Sequence, residues 1–105
     1  MEGKKEKSKK VDLAQSPISL SDREIVGLVL KGALNNLQKL SEISPHYADI
    51  HYRKAEVYRL MAENETDAAV KRAYLQMARK EYQLQTRYNW KGKAAQNARK
   101  ALSEL

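Results

Sequence analysis

The chain has 105 residues, of which 42% are hydrophobic and 31% charged, and this composition predicts one small folded domain. Its lack of cysteine excludes disulfides and thiol chemistry, and no apolar run approaches the roughly 18 residues of a membrane span, so we expect a cytoplasmic protein without a transmembrane helix. The net charge of +7 is concentrated in residues 71–105, whose nine basic and two acidic residues would attract an acidic protein, anionic lipid or nucleic acid.

Residues 1–16 are predicted to form a flexible basic tail. Residues 1–10 hold five lysines and two glutamates, and the segment has too little apolar surface to offset the entropy of ordering it. The alternative is a basic arm that becomes ordered on binding. Residues 17–105 are predicted to form a single helical domain.

The first helix has a clear start in the sequence. Ser21 and Glu24 have the spacing of a capping box, in which each side chain bonds the backbone of the other residue. Leu20 and Ile25 are placed to form a hydrophobic staple around that cap. The apolar pattern predicts that this helix runs to about Ile43.

Two glycines lie inside the first helix. Gly27 and Gly32 each weaken it by up to about 1 kcal/mol relative to alanine. We attribute their presence to the close approach of another helix. One possibility is a self-assembling subunit in which both glycines lie at the helix contact.

The second helix is predicted to begin with Ser44 as N-cap and Pro45 at the first helical position. Two adjacent apolar stripes follow, wide enough to contact neighbours on two sides. The stripes consist of Tyr47, Ile50, Lys54, Val57 and Met61, and of His51, Ala55, Tyr58 and Ala62. The polar run 64–67 favours a break before the third helix, because a compact domain requires the chain to reverse; the alternative is one continuous rod.

The third helix is predicted from about Asp67 to Trp90, and the fourth from about Lys93 to Leu105, with Gly92 ending the third. The predicted apolar face of the third helix consists of Val70, Ala73, Tyr74, Met77, Leu84 and Tyr88. The small apolar face of the fourth consists of Ala94, Ala98, Ala101, Leu102 and Leu105. Together these patterns predict an all-α fold of about four helices in antiparallel hairpins.

Six residues in the first two helices follow a recognisable spacing: Ala33, Leu37, Leu40, Pro45, Ala55 and Tyr58. In this pattern they resemble the tetratricopeptide repeat, with the small residue, larger apolar residues and closing proline of one repeat, then the small residue and tyrosine of the next. The resemblance covers residues 33–62, although residues 61–63 stand where the family prefers a glycine-containing turn. It implies an α-solenoid fragment whose grooves bind peptide segments or sister subunits.

The sequence offers little for catalysis or metal binding. His46 and His51 are five residues apart, whereas helical metal sites use spacings of three or four, and no nucleophile motif or glycine-rich phosphate loop is present. Glu81 lies on the predicted apolar face of the third helix, where a buried carboxylate needs a partner. We expect a tyrosine hydroxyl or an arginine from another helix; the alternative is a buried polar contact that sets the register of a binding partner.

These features favour a non-enzymatic protein–protein interaction module, such as an adaptor or assembly subunit, without catalysis or a cofactor. We expect an acidic protein partner, because the basic third helix would steer acidic surfaces toward it, with homo-oligomers as the alternative. The predicted partner-binding residues are Tyr47, His51, Arg53, Lys54, Tyr58 and Trp90.

The alternative function is nucleic-acid binding, because basic residues interleaved with aromatic ones suit phosphate contact and base stacking. The lysine-rich tail would add to this surface. The basic residues of this alternative are Arg72, Arg79, Lys80, Arg87, Lys91 and Lys93. The aromatic residues are Tyr82, Tyr88 and Trp90.

Overall fold

The computed structural model describes residues 21–105, and within this range the chain forms four α-helices and no strand. The all-α fold with about four helices is thereby confirmed. The helices are α1 (Asp22–Ile43), α2 (Ile50–Asn64), α3 (Ala68–Tyr88) and α4 (Lys93–Glu104). The predicted basic tail and the Leu20 side of the hydrophobic staple lie outside the described residues.

The predicted capping box at the start of α1 is confirmed. The Ser21 hydroxyl oxygen accepts a hydrogen bond from the Glu24 N–H at 3.2 Å, and the Glu24 carboxylate accepts one from the Ser21 N–H at 2.9 Å. The hydrogen bond from the Ser21 backbone, followed by that with its side chain, holds the pKa of Glu24 below its ordinary value. The start of α1 is therefore fixed by residues local to it.

The predicted start of α2 is wrong. Ser44 is the C-cap of α1, since its N–H donates to the Leu40 carbonyl at 2.9 Å, and Pro45 lies in the following turn. The chain then turns through residues 44–49, and α2 begins only at Ile50, with Asp49 as a cap that makes no side-chain hydrogen bond. A proline with φ near −65° fits a turn as well as a first helical turn, so residue type alone does not separate the two.

Ala48 explains why this turn does not continue as helix. Its φ of 45° lies in the left-handed region, which interrupts a right-handed helix and is unfavourable for a residue with a Cβ. Two side-chain amides hold it there: Nε2 of Gln85 on α3 and Nδ2 of Asn89, the C-cap residue of α3, donate to the Ala48 carbonyl at 3.2 and 2.9 Å. The turn is thus determined by contacts with a helix that comes later in the chain.

The predicted break between the second and third helices is confirmed. Helix α2 ends at Asn64, and Asp67 caps α3 by accepting hydrogen bonds from the N–H groups of Ala69 and Val70. At the other end, α3 stops at Tyr88 rather than Trp90. Gly92 serves as the N-cap of α4 rather than as the C-terminal stop of α3.

The core lies where α2, α3 and α4 meet, and it is built mainly from small side chains. Helix α2 contacts the other three helices, α3 contacts α4, and α1 contacts α2 alone. Alanines let these helices approach closely around one large buried ring. The core cluster consists of Ala55, Ala78, Tyr82, Ala98 and Ala101.

The predicted apolar face of α3 is wrong by about one residue of rotation. Val70, Met77 and Tyr88 are exposed, while Ala78, Tyr82 and Gln85 are buried. The prediction placed the large apolar residues on the buried face. In the structure, the buried face carries an alanine, which allows close helix packing, and two side chains that can form hydrogen bonds. The predicted apolar face of α4 is correct at Ala98 and Ala101, which are both buried.

The two glycines of α1 have different surroundings. A Cβ at Gly27 would lie 3.6 Å from Nδ2 of Asn64, so α2 approaches α1 there. At Gly32, a Cβ would meet nothing within 4 Å in the part of the chain that the structure describes. The expected close helix contact is therefore present at Gly27 and is not formed at Gly32 by residues 21–105.

None of the helices α1 to α4 has the length and apolar composition needed to cross a bilayer.

Candidate interaction site

An open groove of about 570 Å³ runs between α1 and α2. Its apolar lining comes from Ala33 and Leu37 on α1 and from Val57 and the half-buried Tyr52 on α2. Polar residues complete the lining. Binding grooves commonly combine an apolar floor with a few polar groups that orient the ligand. The polar lining residues are Asn36, Asp49, Arg53 and Glu56.

The groove is open because, among residues 21–105, α1 has a neighbour on one side only. Helix α1 contacts α2 but neither α3 nor α4, and Leu30 is the one residue of α1 that is buried. Val26 and Leu40, which are 44% and 41% exposed, extend the apolar surface of α1 beyond Ala33 at both ends. Exposed apolar surface of this extent on one helix is typical of an interaction site.

The six residues predicted to bind a partner do not lie on one surface. Arg53 lines the groove, where its Nε donates to the Asp49 carboxylate at 3.0 Å. Tyr47, in the turn before α2, and Trp90, after α3, are both 59% exposed. The remaining three, His51, Lys54 and Tyr58, lie between helices and are buried or half-buried.

His51 and Lys54 belong to a polar cluster around Glu81. Nδ1 of His51 lies 2.8 Å from one Glu81 carboxylate oxygen, and Nζ of Lys54 lies 3.7 Å from the other. On the outer side, Nδ1 of His46 lies 2.8 Å from Nε2 of His51, and the His46 ring stacks on Tyr88 with centroids 3.6 Å apart. Glu81 is thus paired, as expected of a buried carboxylate, but with histidine and lysine rather than with tyrosine or arginine.

Tyr58 lies on the same face of α2 as His51 and Lys54, one turn beyond Lys54. Its ring stacks on Tyr74 of α3 with centroids 6.5 Å apart. Burial of the hydroxyl, and next the negative charge of Glu81, raise the pKa of Tyr58 above its ordinary value. This tyrosine therefore joins α2 to α3, and a partner would have to separate helices to reach its buried part.

A second polar cluster joins α2 to α3 and α4. The hydroxyl of the buried Tyr82 donates to the Glu56 carboxylate, and Arg59 donates to Glu104 at 3.0 Å. Burial, together with the hydrogen bond to Glu56, raises the pKa of Tyr82 well above its ordinary value. Because Tyr82 is fully buried, the predicted use of this ring as a base-stacking platform is wrong.

The basic residues of the nucleic-acid alternative are exposed, but they are spread over α3, the following turn and α4. Lys80 and Arg87, seven residues apart on α3, line a shallow pocket of about 380 Å³. Arg79 lies toward α4 and donates to the Leu105 carbonyl at 3.0 Å, while Arg72 lies nearer the start of α3. The ammonium of Lys91 lies 5.1 Å from the centroid of the Trp90 ring, and Lys93 begins α4.

Residues 21–105 contain no group of three or more histidines or carboxylates placed to hold a metal ion. Comparisons with protein-family models, curated proteins and solved structures find no match to this chain.

Several residues that define the site could not be identified from the sequence pattern. Val57 was placed on a packing stripe, and Glu56 and Tyr52 were not singled out, although all three line the groove. The pattern of hydrophobic and charged residues in one helix indicates which of its faces is apolar. It does not indicate that a second helix covers only part of that face. Gln85 was missed as well, since a single buried glutamine has no periodic signal.

Proposed function

We propose that this chain is a protein–protein interaction module, an adaptor or assembly subunit, that binds a segment of an acidic partner in the groove between α1 and α2. The observation that carries the proposal is the open apolar lining formed by Ala33, Leu37 and Val57 on a helix pair with no covering helix in residues 21–105. An amphipathic helix or an extended peptide fits such a groove. The resemblance to tetratricopeptide repeats over residues 33–62 is in keeping with this mode, and we place the protein in the cytoplasm.

The charge distribution supports an acidic partner. Residues 71–105 carry the excess of basic residues, and Arg53 lies within the groove itself. Long-range attraction from the basic region raises the association rate, while the short-range contacts of the groove determine affinity. Tyr47 and Trp90 are exposed aromatic residues that would add anchors at the ends of α2 and α3.

The test compares what full-length protein retains from an extract of the source cell with and without nuclease. We expect Ala33→Glu and Arg53→Glu to lose a protein that the wild type retains after nuclease treatment, because the first fills the groove and the second reverses its charge. Ala73→Glu is the matched control, since Ala73 is exposed on α3 and remote from the groove lining. Helical content by circular dichroism shows that each variant is folded.

If the groove variants retain the same proteins as the wild type, groove binding is wrong. If all retained protein disappears after nuclease treatment, the interaction runs through nucleic acid and the second candidate function is favoured.

That second candidate, nucleic-acid binding, is favoured by one specific observation. Trp90 is the single tryptophan of the chain, is 59% exposed, and has the Lys91 ammonium over its ring. A base stacked on this ring would quench its fluorescence, and phosphate contacts from Arg87 and Lys93 would make the binding fall steeply with salt. Titration with a single-stranded oligonucleotide at two salt concentrations tests this; unchanged fluorescence at low salt would exclude stacking on Trp90.

A further inference from the structure

The side of α1 opposite the buried Leu30 is mostly apolar. Its residues fall within an arc of about 120°, at 100° per residue around the helix. Leu28, Val29 and Ile43 are 60%, 65% and 83% exposed, values unusual for side chains of this size. We call this surface the outer face of α1, and it consists of Ile25, Leu28, Val29, Gly32, Asn36, Lys39, Leu40 and Ile43.

Gly32 lies near the middle of the outer face. Glycine weakens a helix relative to alanine, yet in residues 21–105, apart from its chain neighbours and the adjacent backbone of α1, no atom lies within 4 Å of the Cβ that alanine would add. The fold of these residues therefore gives no reason for a glycine here. A second helix crossing at this position would give one, because the missing side chain allows two backbones to approach closely.

Two charges, one beside the outer face and one within it, indicate which helix would cross. Glu24 precedes Gly32 by eight residues, and Lys39 follows it by seven. If a second copy of α1 runs antiparallel across Gly32, Glu24 lies opposite the partner's Lys39, with an offset along the axis of about 1.5 Å. Ile25 then lies opposite the partner's Leu40 with the same offset. A parallel arrangement would instead place Glu24 beside Glu24 and Lys39 beside Lys39.

We propose that two copies of this chain associate through the outer face of α1, in an antiparallel crossing centred on Gly32. The arrangement is two-fold symmetric, so each contact occurs twice, and the opposed helix dipoles favour it. The dimer covers the apolar side chains of the outer face that residues 21–105 leave exposed. The outer face meets the proposed partner-binding groove at Asn36, but the dimer does not depend on a partner in that groove, and purified protein alone is sufficient to test it.

The first experiment uses the absence of cysteine to determine orientation. Under mild oxidation of the full chain, Gly32→Cys should form a disulfide-linked dimer, because the two-fold axis brings the two thiols within bonding reach and the covalent bond retains the dimer although the added side chain weakens the non-covalent contact. Ile25→Cys and Leu40→Cys should form few linked dimers alone and many when mixed. Gln76→Cys, exposed on α3, is the control for random collision.

Two results would overturn the proposal at this stage. Efficient self-linking of Ile25→Cys and of Leu40→Cys would indicate a parallel pair. Equal linking of Gly32→Cys and Gln76→Cys would indicate that no specific contact forms at Gly32.

The second experiment measures mass by light scattering over a concentration series. We expect the wild type to pass from monomer to dimer, and Gly32→Arg to raise the dissociation constant at least tenfold, since a long charged side chain blocks the crossing. Gln76→Arg adds the same charge on α3 and should leave the dissociation constant unchanged. A wild type that stays monomeric throughout, or equal dissociation constants for wild type and Gly32→Arg, would overturn the proposal.

Gly32→Ala separates the dimer contact from helix propensity. At concentrations where the chain is monomeric, the added methyl group meets open space, so Tm should rise by about 4 °C through better helix propensity. In the same variant the dimer should weaken, because the two backbones can no longer approach as closely. A variant that dimerises as well as the wild type would contradict the crossing at Gly32.

Discussion

The side-chain carbonyl of Gln85 on α3 accepts a hydrogen bond from the backbone N–H of Tyr52 on α2, at 2.9 Å. Tyr52 is the third residue of α2, so its N–H has no partner within its own helix. Asp49, the N-cap residue, does not supply one with its side chain. Gln85 also donates to the Ala48 carbonyl, so one buried side chain of α3 both caps α2 and holds the turn before it.

The first prediction concerns removal of this cap. Gln85→Met keeps a similar side-chain size but leaves the N–H of Tyr52 without a partner and takes one hydrogen bond from the Ala48 carbonyl. We expect the free energy of unfolding to fall by about 2–4 kcal/mol, because each buried group left unpaired costs about 1–3 kcal/mol. Urea denaturation followed by circular dichroism measures the change.

Gln83→Met is the matched control for this experiment. Gln83 is exposed on the same helix, so its replacement should change stability by no more than about 0.5 kcal/mol. Equal urea midpoints for Gln85→Met and Gln83→Met would show that the Gln85 hydrogen bonds do not stabilise the fold.

A second prediction follows from the backbone of Ala48. Its φ of 45° is unfavourable for alanine and readily adopted by glycine. After allowance for the greater freedom of glycine in the unfolded chain, Ala48→Gly should stabilise the protein by about 0.5–1 kcal/mol. The matched substitution Ala73→Gly, at an exposed site inside α3, should destabilise it by about 1 kcal/mol. Thermal unfolding of both variants measures the difference; a lower Tm for Ala48→Gly would contradict the prediction.

The sequence predicted the parts of the fold that depend on neighbouring residues. The cap formed by Ser21 and Glu24 and the break before Asp67 both rest on side chains that bond backbone groups within three residues. Their donors and acceptors are therefore visible in a short stretch of sequence. The helix count follows directly from these boundaries.

The parts that sequence analysis placed wrongly depend on contacts between distant residues. The start of α2 is set by Gln85 and Asn89, 37 and 41 residues beyond the Ala48 carbonyl that they bind. The buried face of α3 likewise depends on how closely Ala78 approaches the neighbouring helices. The hydrophobicity of the sequence does not indicate this distance. The groove could be anticipated only in part: the small residue Ala33 marked a helix contact, but its opening depends on the absence of a helix beside α1 in residues 21–105.

A third prediction concerns the cluster around Glu81. Glu81→Leu would leave the buried His51 and the half-buried Lys54 without their carboxylate partner, so we expect a loss of about 1–3 kcal/mol. Glu81→Gln keeps a hydrogen-bond acceptor for His51 and should lose less. Urea denaturation of both variants gives the comparison, with Glu63→Leu as a control at an exposed position.

The same pair of variants bears on the alternative role of Glu81 in setting the register of a partner. If Glu81→Leu is more stable than the wild type and binds its partner unchanged, neither the structural pairing nor the register role holds. If stability falls while binding per folded molecule is unchanged, the role of Glu81 is structural.

The last prediction concerns stability at alkaline pH. Burial of Tyr82, with its hydroxyl donating to Glu56, raises its pKa in the folded state above the value near 10 of an unfolded tyrosine. Because the folded pKa is the higher one, the stabilisation is fully present below about pH 10 and is lost as the pH rises through the folded pKa. The unfolded chain releases the phenol proton first, so the free energy of unfolding should fall above about pH 10.

Tyr82→Phe isolates this contribution. The variant should be less stable than the wild type at neutral pH, since the half-buried carboxylate of Glu56 loses its donor, but its stability should fall less steeply above about pH 10. Tyr47→Phe, at an exposed position, should follow the wild-type pH dependence. Lysine titration affects all three proteins alike, so the difference between their urea midpoints at neutral and alkaline pH reports on Tyr82. Parallel curves for the wild type and Tyr82→Phe would show that the phenol titrates with the same pKa in the folded and unfolded chain.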